Sequence, residues 1–447
     1  MTLEVHIDWR GQTHLVGRLF AAERGASVSF EYALEWLQRE DTFAIDPTSL
    51  PLQRGTYHGA TLFGAIQDCG PDRWGRVLIE RAVRKKVLPQ QPYRDIDYVL
   101  ALDDMSRVGA LRFRLDPKSP FLAATSGKIP PLVRLNALLR ATDAVHSENE
   151  TAQDLRFLLG AGSPLGGARP KAAVALRDGR LAIAKFPKPD DTRDIAAGEI
   201  LALTLAEKAG VHVAEHQLVP VGGYGVAVIT RFDRVDKSRI PFVSASSLLG
   251  LPQGNPGAYT LLADGIRQFG NDVPSDLREL WRRLIFSLLA SNYDDHPRNH
   301  GFLMPEPGRW SLSPAYDINP VPEVDRVYIN KMPITEDLAE PAIGIALDAA
   351  ERFGLGPSES KEILREVFTA VSGWRETGRR LRIKASTLDA YASAFQHPLI
   401  AEAKQLIGSQ TYRRFPNLRV VRGRATPKQR PQRPRLRQRL RRTGAKD

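Results

Sequence analysis

Seven apolar side chains, Leu277, Leu280, Trp281, Leu284, Ile285, Leu288 and Leu289, recur at i, i+3, i+4 and i+7 and then stop. That period lays them along one stripe of a helix, and so apolar a stripe is core packing. A polar octapeptide follows: Asn292-Tyr293-Asp294-Asp295-His296-Pro297-Arg298-Asn299. The helix thus gives a rigid support to a loop dense in carboxylate, amide and imidazole groups. Beyond it, Gly301-Phe302-Leu303-Met304 reads as a strand, Pro305-Glu306-Pro307-Gly308 as a turn and Trp310-Ser311-Leu312 as the returning strand. Such a hairpin brings Asp317 back beside Asn299.

Phosphoryl transfer needs a carboxylate to accept the nucleophile's proton, and an amide plus a second carboxylate to hold Mg²⁺. Asp294 and Asn299 stand five apart, the separation of Asp and Asn in the protein-kinase loop H-R-D-x-x-x-x-N. The bland alternative is a solvated Asp/Asn-rich turn. Asp317 and two upstream features weigh against it.

The first is Gly160-Ala161-Gly162-Ser163-Pro164-Leu165-Gly166-Gly167-Ala168-Arg169-Pro170-Lys171, which runs into a strand. Glycines let backbone amides approach phosphate oxygens with no Cβ in the way. It is not a Walker A loop, because Ala172 follows Lys171, nor a dinucleotide fingerprint, because a strand follows where a helix should open. The second is Lys185 in the apolar strand Leu181 to Phe186, where an ammonium is costly without an anion to meet. Glu199, in the helix predicted over 195–209, is its expected partner. The alternative is a lysine whose stem packs while its head reaches water. The backbone of Thr230, Arg231 and Phe232, where two halves of a cleft would join, is expected to meet an adenine edge.

A chain of 447 residues suggests two or three packed units plus tails. Its composition, 42% hydrophobic and 26% charged, is that of a soluble globular protein. No apolar run is long enough to span a membrane. Met1 to His6 begins a strand-like alternation and does not read as a secretory leader. The single cysteine, Cys69, allows no intrachain disulfide and no zinc–thiolate cluster, which fits a cytoplasmic setting. The net charge of +12 is concentrated: 12 Lys and Arg against one acid lie from Arg419 to Asp447, leaving 51 basic and 50 acidic groups elsewhere. The body is therefore neutral, and the high pI reports only on the tail.

The chain divides into a β-rich N-terminal subdomain (1–112), a connector with nucleotide-binding strands (113–235), a mainly helical lobe (236–415) and an Arg-rich tail (416–447) with too little apolar surface to order itself. Arg-rich tails of this kind neutralise nucleic-acid phosphates; the alternative is a solubilising appendage.

Leu165-Gly166-Gly167-Ala168-Arg169-Pro170-Lys171, Ala184-Lys185-Phe186-Pro187, Arg231-Phe232-Asp233-Arg234, Asp294 to Asn299 and Ser313-Pro314-Ala315-Tyr316-Asp317, in this order, resemble the HipA family. These are serine/threonine kinase toxins of bacterial type II toxin–antitoxin systems. The resemblance covers residues 3 to 400 and includes Phe63 to Arg81. It implies an α+β fold of two kinase-like lobes with an additional N-terminal β-rich subdomain. It implies ATP and Mg²⁺ as cofactors, Asp294 as catalytic base, and Asn299 and Asp317 as metal ligands. His296, Arg298 and Tyr316 would be nucleotide-side neighbours, Gly166 to Lys171 the phosphate loop, Lys185 the phosphate lysine and Thr230 to Phe232 the hinge. The implied partners are a small DNA-binding antitoxin and a protein substrate such as an aminoacyl-tRNA synthetase. One departure stands out: strict register places Pro164 where the family carries its autophosphorylated serine, with Ser163 adjacent. Other readings are a small-molecule kinase, a catalytically idle interaction or co-repressor protein, and a hydrolytic metal site on Asp294, Asp295 and His296.

Overall fold

Arg10 and Gly11 both take positive φ, 51° and 79°, the left-handed pair that a tight hairpin of right-twisted strands requires. They join β1 (Thr2–Trp9) to β2 (Gln12–Ala21). With β3 (Val28–Tyr32), β4 (Thr56–Gly59) and β5 (Leu111–Arg114) these form an antiparallel sheet in the order β4-β3-β2-β1-β5. The computed structural model describes residues 1–22, 25–122, 129–162, 167–236, 238–326, 332–338 and 340–408.

A second antiparallel sheet holds β6 (Lys171–Ala175), β7 (Leu181–Lys185), β8 (His216–Val221) and β9 (Tyr224–Thr230), ordered β6-β7-β9-β8. Alternate residues of β9 enter two different cores, because successive strand side chains point to opposite faces. Ala227 and Ile229 join the large core that contains Ile200, Leu201 and Leu205 of the helix Ile195–Lys208. Val226 and Val228 join a second core with Leu138, Leu155, Leu158, Trp74 and Leu78. Those last residues lie on the helices Leu135–His146, Ala152–Ala161 and Arg73–Arg84. The stretch read as a connector is therefore a packed layer behind the sheet, completed by a helix of the N-terminal subdomain.

A short ribbon, β10 (Arg234–Val235) with β11 (Ser238–Arg239), leads to β12 (Phe242–Ser244). β12 pairs with β13 (Gly301–Glu306), which pairs in turn with β14 (Arg309–Leu312). The apolar stripe lies on the helix Val273–Leu289, whose Asp272 accepts from the Ser275 N–H at 3.3 Å and whose first turn carries Pro274. Leu280, Trp281, Ile285 and Leu289 are fully buried. Two polar groups of the same helix reach the end of β14: Asp276 accepts from the Leu312 N–H at 3.2 Å, and Arg283 donates to the Ser313 carbonyl at 2.7 Å. They fix where the chain sets out toward Tyr316 and Asp317. Among the described residues no helix is long and apolar enough to cross a membrane.

Burial pushes the Asp276 carboxyl up to about 6 against the Leu312 N–H and Arg283, which favour its charge. A folded-state value above the unfolded one means that ionisation costs stability. The protonated group's contribution is complete below the ordinary carboxylate range and is lost as pH rises through about 6. Asp276→Asn keeps an acceptor for Leu312 and removes the charge. It should raise the unfolding free energy at pH 7 by about 2–3 kcal/mol and flatten the stability profile in the acid range, as followed by urea unfolding. An unchanged slope would contradict this assignment.

Candidate active site

Lys185 ends β7 with its ammonium buried between two carboxylates. It donates to Glu199 at 2.5 Å and to Asp317 at 2.9 Å. Glu199 is presented by the helix Ile195–Lys208, whose first turn is capped where Asp194 accepts from the Ala197 N–H at 2.9 Å. Asp317 arrives from β14 in the left-handed conformation, φ 57°, which a non-glycine residue adopts only with support. Asn319 supplies it, donating through its amide to the Asp317 backbone carbonyl at 3.2 Å and carboxylate at 3.1 Å. The Asn319 N–H in turn donates to the Asn292 side chain at 3.1 Å. Asn292 opens the polar octapeptide, so the two polar segments are laced together.

Burial by itself would raise the Asp317 carboxyl, but Lys185 and then Lys171 outweigh it and hold the group well below the usual carboxylate range. Burial likewise works against the Lys185 charge and is overcome by Asp317 and Glu199, leaving the amine above its ordinary value. At Glu199 burial wins over Lys185, and the carboxyl is raised. Two carboxylates share one ammonium, and Asp317 keeps the charge.

Lys171 lies opposite Lys185 in the β6–β7 register. It is buried, with its ammonium 2.7 Å from Asp72 of the N-terminal subdomain. Gly167 has φ +93°, and a Cβ there would stand 3.2 Å from the Lys171 ammonium and 3.7 Å from Asp317 Oδ2. The end of the Gly-rich loop thus passes over both groups with only backbone. The Pro170 carbonyl accepts from the Phe186 N–H at 2.9 Å, and Ala168 is exposed. Arg169 forms a two-pronged pair with Asp191, at 2.8 and 2.6 Å, so a role at phosphate would require breaking that pair. Ser163 and Gly166 lie outside the described residues, as does the tail 416–447.

The adjacent carboxylates of the octapeptide divide. Asp294 is exposed, whereas Asp295 is buried, accepts from the Tyr259 hydroxyl and lies 2.9 Å from His300 Nε2. Asp295 therefore anchors the loop from below while Asp294 stays at its surface. Asn299 donates to the Asp294 carbonyl at 3.1 Å, and its own Oδ1 is buried without a hydrogen-bond partner among the described residues. A buried amide oxygen left over in this way is a hard ligand of the kind a divalent cation takes. Among the described residues no group of three or more His, Cys, Asp or Glu could hold a metal. Asp294, Asp295 and His296 in particular do not converge.

Ile183, Lys185, Ile229, Thr230, Phe232 and Tyr316 line a cleft with Asp317 at its floor. The Phe232 and Tyr316 rings stand 5.5 Å apart at 33°, an apolar slot with a charged end. Two expectations need correcting. The N–H groups of Thr230 and Arg231 are used by the Glu215 and Leu181 carbonyls, at 2.8 Å each, which moves any hinge donor to Phe232. Arg231 also lines the cleft, but its side chain is fully buried and its guanidinium is taken up: it donates to Asp233 at 2.8 and 2.6 Å and to the carbonyls of Ser106 and Arg107 at 2.7 and 2.9 Å. It bolts the hinge to the N-terminal subdomain. His296 and Arg298 line a separate groove with Pro252, Gln253 and Asn255, not the inner cleft. Tyr316 ties the two loops by donating to the Arg298 carbonyl at 2.8 Å.

Sequence reasoning missed Asp72 and Asn319, and the anchoring role of Asp295. Asp72 reads adequately as the cap of a helix, which it also is, accepting from the Gly75 N–H at 2.8 Å. No local signal points from it to Lys171. Asn319 could have been found as an Asn shortly after a functional Asp, a spacing suited to an Asx-type turn.

Removing the amine leaves two buried carboxylates unpaired. Lys185→Met should cost about 3–5 kcal/mol of unfolding free energy, and adding Glu199→Leu should recover a large part. Urea titrations of the three proteins check this. Equal stability of wild type and Lys185→Met would show that the ion cluster is not formed.

The model of the HipA N-terminal domain matches residues 7–113, and that of the HipA-like C-terminal domain matches residues 163–374. A protein of Haemophilus influenzae named "Putative kinase" is 29% identical over 167 residues, 33% of this chain and 48% of that protein. A protein of Sinorhizobium fredii named "Putative kinase Y4dM" is 29% identical over 140 residues, 28% of this chain and 34% of that one. The chain thus spans at most about half the length of these curated relatives. A solved complex of Shewanella oneidensis HipA with HipB and operator DNA matches with a TM-score of 0.65 at 18% identity, over 90% of this chain and 97% of that one. At that identity the likeness speaks for the fold, which is two-lobed and kinase-like.

Proposed function

The chain belongs to the HipA family, and from that premise we propose that it is an ATP- and Mg²⁺-dependent serine/threonine protein kinase. The observation that carries the reading is Lys185 fixed between Glu199 and Asp317. Lys185 would meet the nucleotide's phosphates under the backbone of Gly167, while Phe232 and Tyr316 flank the base. Asn299 and Asp317 would hold Mg²⁺, which when bound neutralises charge on the transferring phosphoryl group. Asp294, which is exposed, would orient the acceptor hydroxyl and take its proton. The work of the protein is positioning, because little covalent chemistry remains for it to do.

The acceptor is a translation component such as an aminoacyl-tRNA synthetase, in the cytoplasm. The partner is a small DNA-binding antitoxin, by likeness to the Shewanella HipA solved with HipB and operator DNA. A co-repressor role through that partner is compatible with catalysis.

Transfer of labelled phosphate from ATP to a host lysate tests the reading. Asp294→Ala should lower labelling by about 10²–10⁴-fold while nucleotide affinity is largely kept. Equal labelling by the two proteins would remove the kinase assignment.

A further inference from the structure

One short stretch of the N-terminal subdomain sends two carboxylates into the kinase-like body, and they meet different lobes. Asp68 ends the helix Gly64–Asp68, and Asp72 caps the helix Arg73–Arg84. Asp68 accepts from the Ser244 N–H at 2.7 Å and the Ser244 hydroxyl at 2.9 Å. The guanidinium of Arg298, on the loop that carries Asp294 and Asn299, stands 3.8 Å from the same carboxylate. Asp72 lies 2.7 Å from the Lys171 ammonium, at the end of the Gly-rich loop. The Trp74 indole N–H donates to the Lys171 carbonyl at 3.2 Å, so backbone and side chain of that residue are held from one helix.

Stability alone does not account for this arrangement. A buried ion pair roughly breaks even against apolar groups of the same shape, and a helix cap needs only a hydroxyl. Packing is also close beside Asp68. A Cβ at Gly64 would stand 2.7 Å from the Ser247 Cβ, so the helix that delivers Asp68 rests directly on the Ser244–Ser247 turn. A third attachment lies at the hinge, where Asp233 accepts from the Gly109 N–H at 2.7 Å and Arg231 holds the Ser106 and Arg107 carbonyls. Lobes of a two-lobed kinase open and close about their hinge. Here a further body grips the hinge and both sides of the opening.

We propose that Asp68 and Asp72 are positioning residues that brace the cleft, Asp72 fixing Lys171 and the end of the phosphate loop, Asp68 fixing Ser244 and the Arg298 end of the catalytic loop. The inference deepens the kinase reading and rests on it. The brace keeps the cleft at one separation before nucleotide arrives, and makes the N-terminal subdomain part of the active machinery.

The test uses the full chain and Mg-ATP. Affinity is measured by calorimetry, turnover by phosphate transfer, and folding by thermal melting, for wild type, Asp68→Asn, Asp72→Asn, Asp72→Glu and Lys171→Gln. Asp72→Asn should weaken Mg-ATP binding by about 10–100-fold, the usual loss when the partner of a ligand-holding group is removed. Asp72→Glu should restore much of it, and Asp72→Asn added to Lys171→Gln should cost little more. Asp68→Asn should lower turnover with affinity nearly unchanged. Folded variants with wild-type affinity and turnover would overturn the brace alone, whereas a wild type that binds no Mg-ATP would overturn the kinase reading and the brace with it. Hydrogen exchange on the wild type covers variants that do not fold. The amides of residues 167–169 and 171 should be protected before nucleotide is added, and protection only after it is added would defeat the proposal.

Discussion

One ammonium group organises the cleft. Lys185 sits between Glu199 and Asp317, which come from different parts of the chain; Lys185 and Glu199 are buried, and Asp317 is largely covered. Because burial penalises each charge, the cluster is worth having only when complete. Its completion sets the distance from the sheet to the helix behind it and to the loop across the cleft. Lys171, opposite in register and matched by Asp72, adds a second cation near the same carboxylate. Two ammonium groups and three carboxylates are thus joined through Lys185 and Lys171.

The loops around that cluster are held by polar links and not by packing alone. Asn319 and Asn292 connect Asp317 to the octapeptide, Tyr316 connects to Arg298, and Asp295 with Tyr259 and His300 anchors the loop from within. Below them the helix Val273–Leu289 presents its apolar stripe to the core and offers Asp276 and Arg283 to the end of β14. One element thus supports the polar octapeptide and also aims the strand that delivers Asp317. Left-handed Asp317 is the local conformational cost, and the amide of Asn319 offsets it.

The features legible in the sequence were the local ones. The apolar stripe, the hairpin of β13 and β14, the strands around Lys185 and the helix carrying Glu199 all follow from periodicity and turn residues over short spans. Lys185 was conspicuous because a charge in an apolar strand needs a partner. The structure's long-range polar contacts left no such trace. Arg231 looked like part of a hinge and is a buried clamp on Ser106 and Arg107. Asp72 caps a helix and also holds Lys171, a contact with no local signal. Asp294 and Asp295 are neighbours of one type, and only the fold decides that one is exposed and the other buried. The helices Leu135–His146 and Ala152–Ala161 passed as a connector because the surface they cover belongs to a sheet formed later in the chain.

The kinase reading requires Asn299 and Asp317 to converge on one cation beside Lys185. A crystal structure of the full chain with Mn²⁺ and a non-hydrolysable ATP analogue, read by anomalous scattering, tests this most directly. The account requires a peak shared by the Asn299 amide oxygen and the Asp317 carboxylate, with the analogue's phosphates on Lys185. A peak away from those oxygens, or an analogue bound outside the cleft of Phe232 and Tyr316, would contradict it.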